Sequence, residues 1–307
     1  MNLPTHLRQG ETAALLKYHK FNSGLRQHPP NGLAALEEVL TGGVAVIECD
    51  IATLADGTLV LMHDDTLERE TTGVGPVASL DVGAFKALRL RGSDDPPATL
   101  AEVIDRLRAH DEPLKVQIDV KAALPLDEAA ATQLLRALEP LREQRHLRLV
   151  FGCLGDWNLR LLRRLDAEVE LGFDPAFHLH APGPGPEPFM ALPTRVNAYG
   201  YADDHPLGFR RVMPVAAYLR ARFEELIHHV PGAVEYYLHR GFVQQAAADG
   251  FDAIGFVQRE TGALVDVWTV NCWDAGIETE LPALLAAGAD QITTDSAVQL
   301  ASMLHDA

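Results

Sequence analysis

Short runs rich in Val, Ile and Leu alternate along the chain with longer stretches whose apolar positions recur every three or four residues. That alternation predicts βα units and a parallel sheet. Strand-like runs fall at residues 15–19, 44–54, 59–63, 114–120, 147–154, 169–173, 234–238, 264–271 and 291–294. The turn Asp56-Gly57 separates the second from the third. Amphipathic stretches at 33–40, 99–109, 126–138, 158–165, 215–229, 242–249 and 282–287 predict helices, each ending near Gly or Pro. About eight strands with helices between them point to an α/β fold, a closed (β/α)8 TIM barrel. A doubly wound open sheet fits less well, because no GxGxxG follows the first strand.

Two stretches break the rhythm. Residues 64–98 are turn-rich and charged, and read as a small insertion on the barrel rim after the second strand. Residues 175–214 include APGPGPEPF at 181–189, too rich in Pro and Gly for a helix or a central strand. They predict a loop of the kind that serves as a lid. The 307 residues otherwise read as one barrel domain.

Composition narrows the function. Apolar residues make up 47% and charged residues 22%, an ordinary globular balance. With 43 acidic against 26 basic residues the net charge is −17, the wrong sign for attracting nucleic acid or an anionic membrane. Cys49, Cys153 and Cys272 are odd in number, far apart and without CxxC spacing, so neither a disulfide framework nor a zinc finger is expected. The N-terminus lacks an apolar leader core, and no run approaches the roughly 18 apolar residues that span a bilayer. A cytoplasmic protein without membrane insertion is the expectation.

The chemistry sits at strand ends. Alternate residues on a strand share a face, so Glu48 and Asp50 project together while Cys49 points into the core. Two adjacent acids repel, and one divalent cation held between them relieves the repulsion. In LKVQIDVKA, Asp119 and Lys121 repeat that spacing at another strand end, adding a third oxygen ligand and a fixed positive charge. Magnesium and calcium both suit such an oxygen site. His19 and His63 end two strand-like runs, and imidazole titrates near neutral pH, so together they suit the acid and base of a phosphoryl transfer.

At these residues the chain resembles the glycerophosphodiester phosphodiesterases, metal-dependent (β/α)8 barrels. The resemblance rests on IECDIATLADGTLVLMHDDTLERETTGVG at 47–75, with its ExD strand, Asp-Gly turn, His-Asp pair and R-x-T-G-like stretch. Thr99-Leu100, the DxK strand, Trp268-Thr269-Val270-Asn271 and GADQITTD at 288–295 follow in the family's order. The resemblance implies that Glu48, Asp50 and Asp119 bind the cation and that His19 and His63 do acid/base work. It further implies that Lys121 contacts the phosphate and Trp268 lines the substrate pocket. The expected reaction splits a glycerophosphodiester, a small-molecule substrate, into glycerol phosphate and an alcohol.

Three departures stand out. His19-Lys20-Phe21 replaces the family's His-Arg-Gly, so Lys20 offers the phosphate a point charge where the family has a fork. Pro29-Pro30-Asn31-Gly32 replaces Pro-Glu-Asn-Thr, and Asp119 replaces a one-methylene-longer Glu. The first and third also resemble the sphingomyelinase D and phospholipase D toxin-like branch, which releases a cyclic phosphate by internal transfer. A barrel that binds phosphodiesters without cleaving them is a further alternative.

Other residues carry weaker signals. His178-Leu179-His180 reads as a solvent-facing pair in the Pro-rich loop, and His228-His229 as charges favouring a helix dipole. Phe173, Phe177, Phe189, Tyr199 and Tyr201 fit either an apolar lid or plain loop packing.

Overall fold

The computed structural model describes residues 2–25, 28–122, 124–183 and 195–305. Eight parallel strands close into a barrel: β2 (Thr12–Tyr18), β3 (Val46–Thr53), β5 (Leu114–Val120), β6 (Leu147–Cys153), β7 (Glu170–Phe173), β8 (Glu235–His239), β9 (Leu264–Trp268) and β10 (Gln291–Thr294). Pairing of β2 with both β10 and β3 closes the ring. The strand-like run expected at 59–63 is β4 (Leu59–Leu61), which lies antiparallel against the end of β3, outside the barrel. A further strand, β1 (His6–Gln9), forms a hairpin with the start of β2. Its two-residue turn has Gly10 first, at φ 58°, as a favoured hairpin turn requires.

Helices fill the connections: α1 (Leu33–Thr41), α2 (Val82–Ala87), α3 (Leu100–Arg108), α4 (Glu128–Arg142), α5 (Asp156–Leu165), α6 (Val215–Leu226), α7 (Arg240–Ala248), α8 (Ala253–Thr261), α9 (Ile277–Ala286) and α10 (Ala297–His305). The α3 start shows why Thr99 precedes it. Its side chain accepts from the Glu102 N–H while Glu102 reaches back to the Thr99 N–H, a complete capping box. Sequence periodicity passed over α2, α8 and α10, and α9 begins ahead of Pro282 rather than at it. Pro282 is the sixth residue of α9, so it sits inside the helix and leaves one intrahelical hydrogen bond unmade.

Outward-facing strand residues such as Ile47, Cys49 and Ile51 pack with Leu36, Val39 and the other helices in one continuous core. The rim insertion carries a small core of its own, in which Leu54, Val60, Met62, Leu67, Val77 and Phe85 are buried together. Among the described residues, no helix is long and apolar enough to cross a membrane.

The described part of the 175–214 stretch buries several of its aromatic side chains against the barrel. Phe173, Phe177, Tyr199 and Tyr201 are all buried, and Tyr199 stacks on Tyr218 of α6 with centroids 4.0 Å apart. Phe189 lies outside the described residues. Of the expected solvent-facing pair, His180 is buried, and His178 is half-buried with its Nε2 donating to Asp156 Oδ1 at 3.1 Å. The sequence hid this because the partner of His178 lies on α5 and that of His180 is Ala202, across the loop.

Candidate active site

Strand register assembles the cleft. Pairing of β3 with β5 sets Asp50 beside Asp119 and Glu48 beside Gln117. Paired residues of a parallel sheet share a face, so the acids of two strands meet. One oxygen each from Glu48, Asp50 and Asp119 lies within 4.8 Å of the other two. Lys121 sits among them, 3.0 Å from Asp50 Oδ1 and bonded to Asp119.

The histidines stand on either side. His19 opens a 3-10 turn directly after β2, and its Nδ1 meets Asp295 Oδ1 at 2.8 Å, leaving Nε2 to face Glu48 Oε2 at 3.9 Å. His63 follows β4, its Nδ1 2.7 Å from Asp64 Oδ1. The Glu70 carboxylate accepts the backbone N–H of both His63 and Asp64, which fixes the turn. Each imidazole is thus oriented through Nδ1 by a carboxylate, an arrangement that sets which nitrogen is free. Trp268 at the end of β9 lines the same cleft as His19, Glu48, His63, Asp119 and Lys121. Asp50 lies just beneath, fully buried.

Lys20 is placed differently from a phosphate fork. Its backbone is left-handed at φ 54°, its N–H donates to Glu48 Oε2 at 2.9 Å, and its Nζ lies 3.8 Å from Asp50 Oδ2. Phe21, where the family has Gly, is also left-handed at φ 63°. That geometry costs roughly 1–2 kcal/mol per non-glycine residue, which burial of the Phe21 ring, worth about 1.5–3 kcal/mol, offsets.

The electrostatics follow from crowding. Burial, then Asp50 and Asp119, push the Glu48 carboxyl well above its usual range. Burial acts on Asp50 in the same sense but is outweighed by Lys121 and Lys20, which hold it well below. Burial and Lys121 bring His63 down to about 4. Three carboxylates against Lys121 and Lys20 leave an excess negative charge in a buried, oxygen-lined space. That donor set fits a hard divalent cation.

All eight residues singled out in the sequence therefore gather at one barrel mouth, six on the cleft wall with Asp50 and Lys20 behind them. Several partners went unseen. Asn31 donates to Asp50 Oδ2 at 2.9 Å, and at φ 59° it uses a conformation asparagine tolerates. Asp174 and Tyr237 line the cleft, and burial raises the Asp174 carboxyl well above its usual range. Asp295 had a signal: it is an acid directly after a strand, β10. The barrel floor is polar too. Lys17 pairs with Asp266 and Gln117, and Lys115 with Glu235 and Gln291, all buried. Gly152 and Gly172 make room for this interior, since a Cβ at either would collide with Tyr237, Gln117 or Asp119.

Comparison with known proteins gives a consistent result. Residues 24–176 match the Glycerophosphoryl diester phosphodiesterase family. A glycerophosphodiester phosphodiesterase of Caldanaerobacter subterraneus subsp. tengcongensis is 26% identical over 152 residues, covering 47% of this chain and 60% of the relative. Human glycerophosphodiester phosphodiesterase 1 is 34% identical over 106 residues, 32% of this chain and 31% of the relative. The match thus spans 31% to 60% of these relatives' length. Among solved structures, an Oleispira antarctica phosphodiesterase in complex with its product sn-glycerol-3-phosphate superposes with TM-score 0.62 at 19% identity, covering 95% of this chain and 96% of that one. A glycerophosphodiester phosphodiesterase from Parabacteroides distasonis gives 0.66 at 16% identity, covering 97% and 99%.

Proposed function

Because the chain belongs to the glycerophosphoryl diester phosphodiesterase family, we propose that it hydrolyses a small glycerophosphodiester to glycerol phosphate and an alcohol. The observation that carries this reading is the convergence on one cleft of two carboxylate-backed histidines, three carboxylates and Lys121.

In this reading Glu48, Asp50 and Asp119 hold one divalent cation, magnesium or calcium. Such an ion supplies Lewis-acid charge for the nonbridging phosphate oxygens when bound. Of His19 and His63, one accepts the proton of the attacking hydroxyl and the other protonates the departing alcohol. Asp295 and Asp64 keep each ring in the tautomer whose Nε2 faces the cleft. Lys121 offsets the charge that grows on phosphorus-bound oxygen, with Lys20 adding positive charge behind the carboxylates. Trp268 forms a wall against the substrate. The whole chain acts as one domain on a small-molecule substrate. Its three free cysteines suit a reducing, cytoplasmic setting.

Phosphorus NMR tests the reading. The protein is incubated with glycerophosphocholine and a lysophospholipid, with magnesium or calcium and with chelator. Metal-dependent glycerol phosphate from the first substrate is the expected result. A cyclic phosphate from the second would assign the internal-transfer reaction instead, and no turnover of either would refute both.

A further inference from the structure

A second cluster of metal-ligating side chains lies away from the cleft residues, where three segments meet. Asp156 is the first residue of α5, His178 caps the 3-10 turn Pro175–Phe177 after β7, and His229 follows the end of α6. One ligand atom from each lies within 4.8 Å of the other two. The Asp156 carboxylate is divided in its contacts. Oδ2 takes Arg160 Nη1 at 2.6 Å, while Oδ1 faces His178 Nε2 at 3.1 Å. The two imidazoles stand edge to face, centroids 4.9 Å apart at 87°. Phe173 flanks both rings at 6.0 and 6.4 Å, which makes one side of the cluster aromatic.

A simple Asp–His hydrogen bond accounts for two of these residues and leaves the third unexplained. His229 Nδ1 is shielded from solvent and bonded to nothing, and an unsatisfied buried polar atom costs about 1–3 kcal/mol. Two imidazoles and a carboxylate make a donor set that transition metals favour over magnesium or calcium. Arg160 on the outer carboxylate oxygen is the kind of supporting contact that orients a ligand.

We propose that Asp156, His178 and His229 form a second metal site, for a zinc-type divalent ion, independent of the carboxylate trio in the cleft. The ion ties α5 to the segments after β7 and α6. Leu154 and Asp174 on the cleft wall are only two and four residues from its ligands, so the site braces two loops that shape the cleft.

The test uses the full chain saturated with magnesium, with cobalt(II) as a visible probe. One equivalent of cobalt is expected to give the strong absorption of a tetrahedral nitrogen-containing site, and zinc to abolish it by displacement. His178→Ala and His229→Gln should each lose the signal, while Glu48→Gln retains it. Zinc at 100 times its dissociation constant should raise the folded-to-unfolded ratio about 100-fold in the unmodified protein and leave both histidine variants unchanged. Absence of the absorption in the unmodified protein would overturn the proposal whatever the variants do. So would an absorption that survives both histidine substitutions.

Discussion

Glu48→Gln separates stability from function at the carboxylate trio. In the metal-free protein Glu48 is buried with two other acids whose oxygens lie within 4.8 Å, and their repulsion of its charge outweighs the attraction of Lys121. One net unit of repulsion at that distance, in an effective dielectric near 20, is worth about 3.5 kcal/mol. Glutamine keeps the shape and an oxygen for the Lys20 N–H but carries no charge. For a chain of 307 residues the unfolding entropy is on the order of 0.6 kcal/mol/K, so the gain corresponds to as much as about 5 °C in Tm. The direction with pH follows from the raised carboxyl of Glu48. A carboxyl raised on folding contributes its full stability below its unfolded value near 4.5, and loses it as pH climbs. Calorimetry in chelator should therefore find the variant more stable than the parent by a margin that widens from about pH 4.5 upward. Added magnesium or calcium should reverse the order, because only the parent retains all three anionic ligands. A variant that melts lower than the parent in chelator at pH 7 would refute the repulsion argument.

Three further outcomes are expected. Asp295→Asn replaces the carboxylate that fixes the His19 ring at 2.8 Å with an uncharged amide that can also donate to Nδ1 and select the wrong tautomer, so kcat should fall about 10²–10⁴-fold with KM little changed; an unchanged kcat would remove Asp295 from the mechanism. Gly172→Ala sets a methyl 2.0 Å from the Tyr237 hydroxyl and should cost about 1–3 kcal/mol, seen as a Tm lowered by about 2–5 °C; an unaltered Tm would show that the barrel interior has slack. Burial raises the phenols of Tyr18, Tyr201, Tyr218 and Tyr237, and lifts Tyr236 to about 12. Stability from groups raised in this way is complete below the unfolded phenol value near 10 and is lost as pH rises, so tyrosinate absorbance should appear together with loss of circular dichroism. Phenols ionising near pH 10 in a protein with intact dichroism would contradict that burial.

Much of the site was legible in the chain. Side chains alternate on strands with a period of two, so Glu48 with Asp50, and Asp119 with Lys121, had to share faces once β3 and β5 were recognised. The cysteine between the first pair had to point the other way, and Cys49 is wholly buried in the outer core. Helix starts marked by Thr99 and stops marked by Gly or Pro were local as well, since caps involve neighbours a few residues away.

What needed the tertiary structure were pairings between distant segments. His19 meets Asp295 across 276 positions of sequence, and Lys115 meets Gln291 across 176. No local period encodes such contacts, because they exist only when the ring of strands closes. The same holds for β4, whose apolar run suits a barrel strand or an antiparallel add-on equally well until its partner is known. It holds for His178 too: by itself a histidine in a proline-rich loop, it stands beside Asp156 and His229 only because α5 and the end of α6 flank that turn. Sequence determined which chemical groups the strands carry and which way they face. Closure of the barrel determined which of them meet, because meeting depends on register and ring geometry over the whole chain.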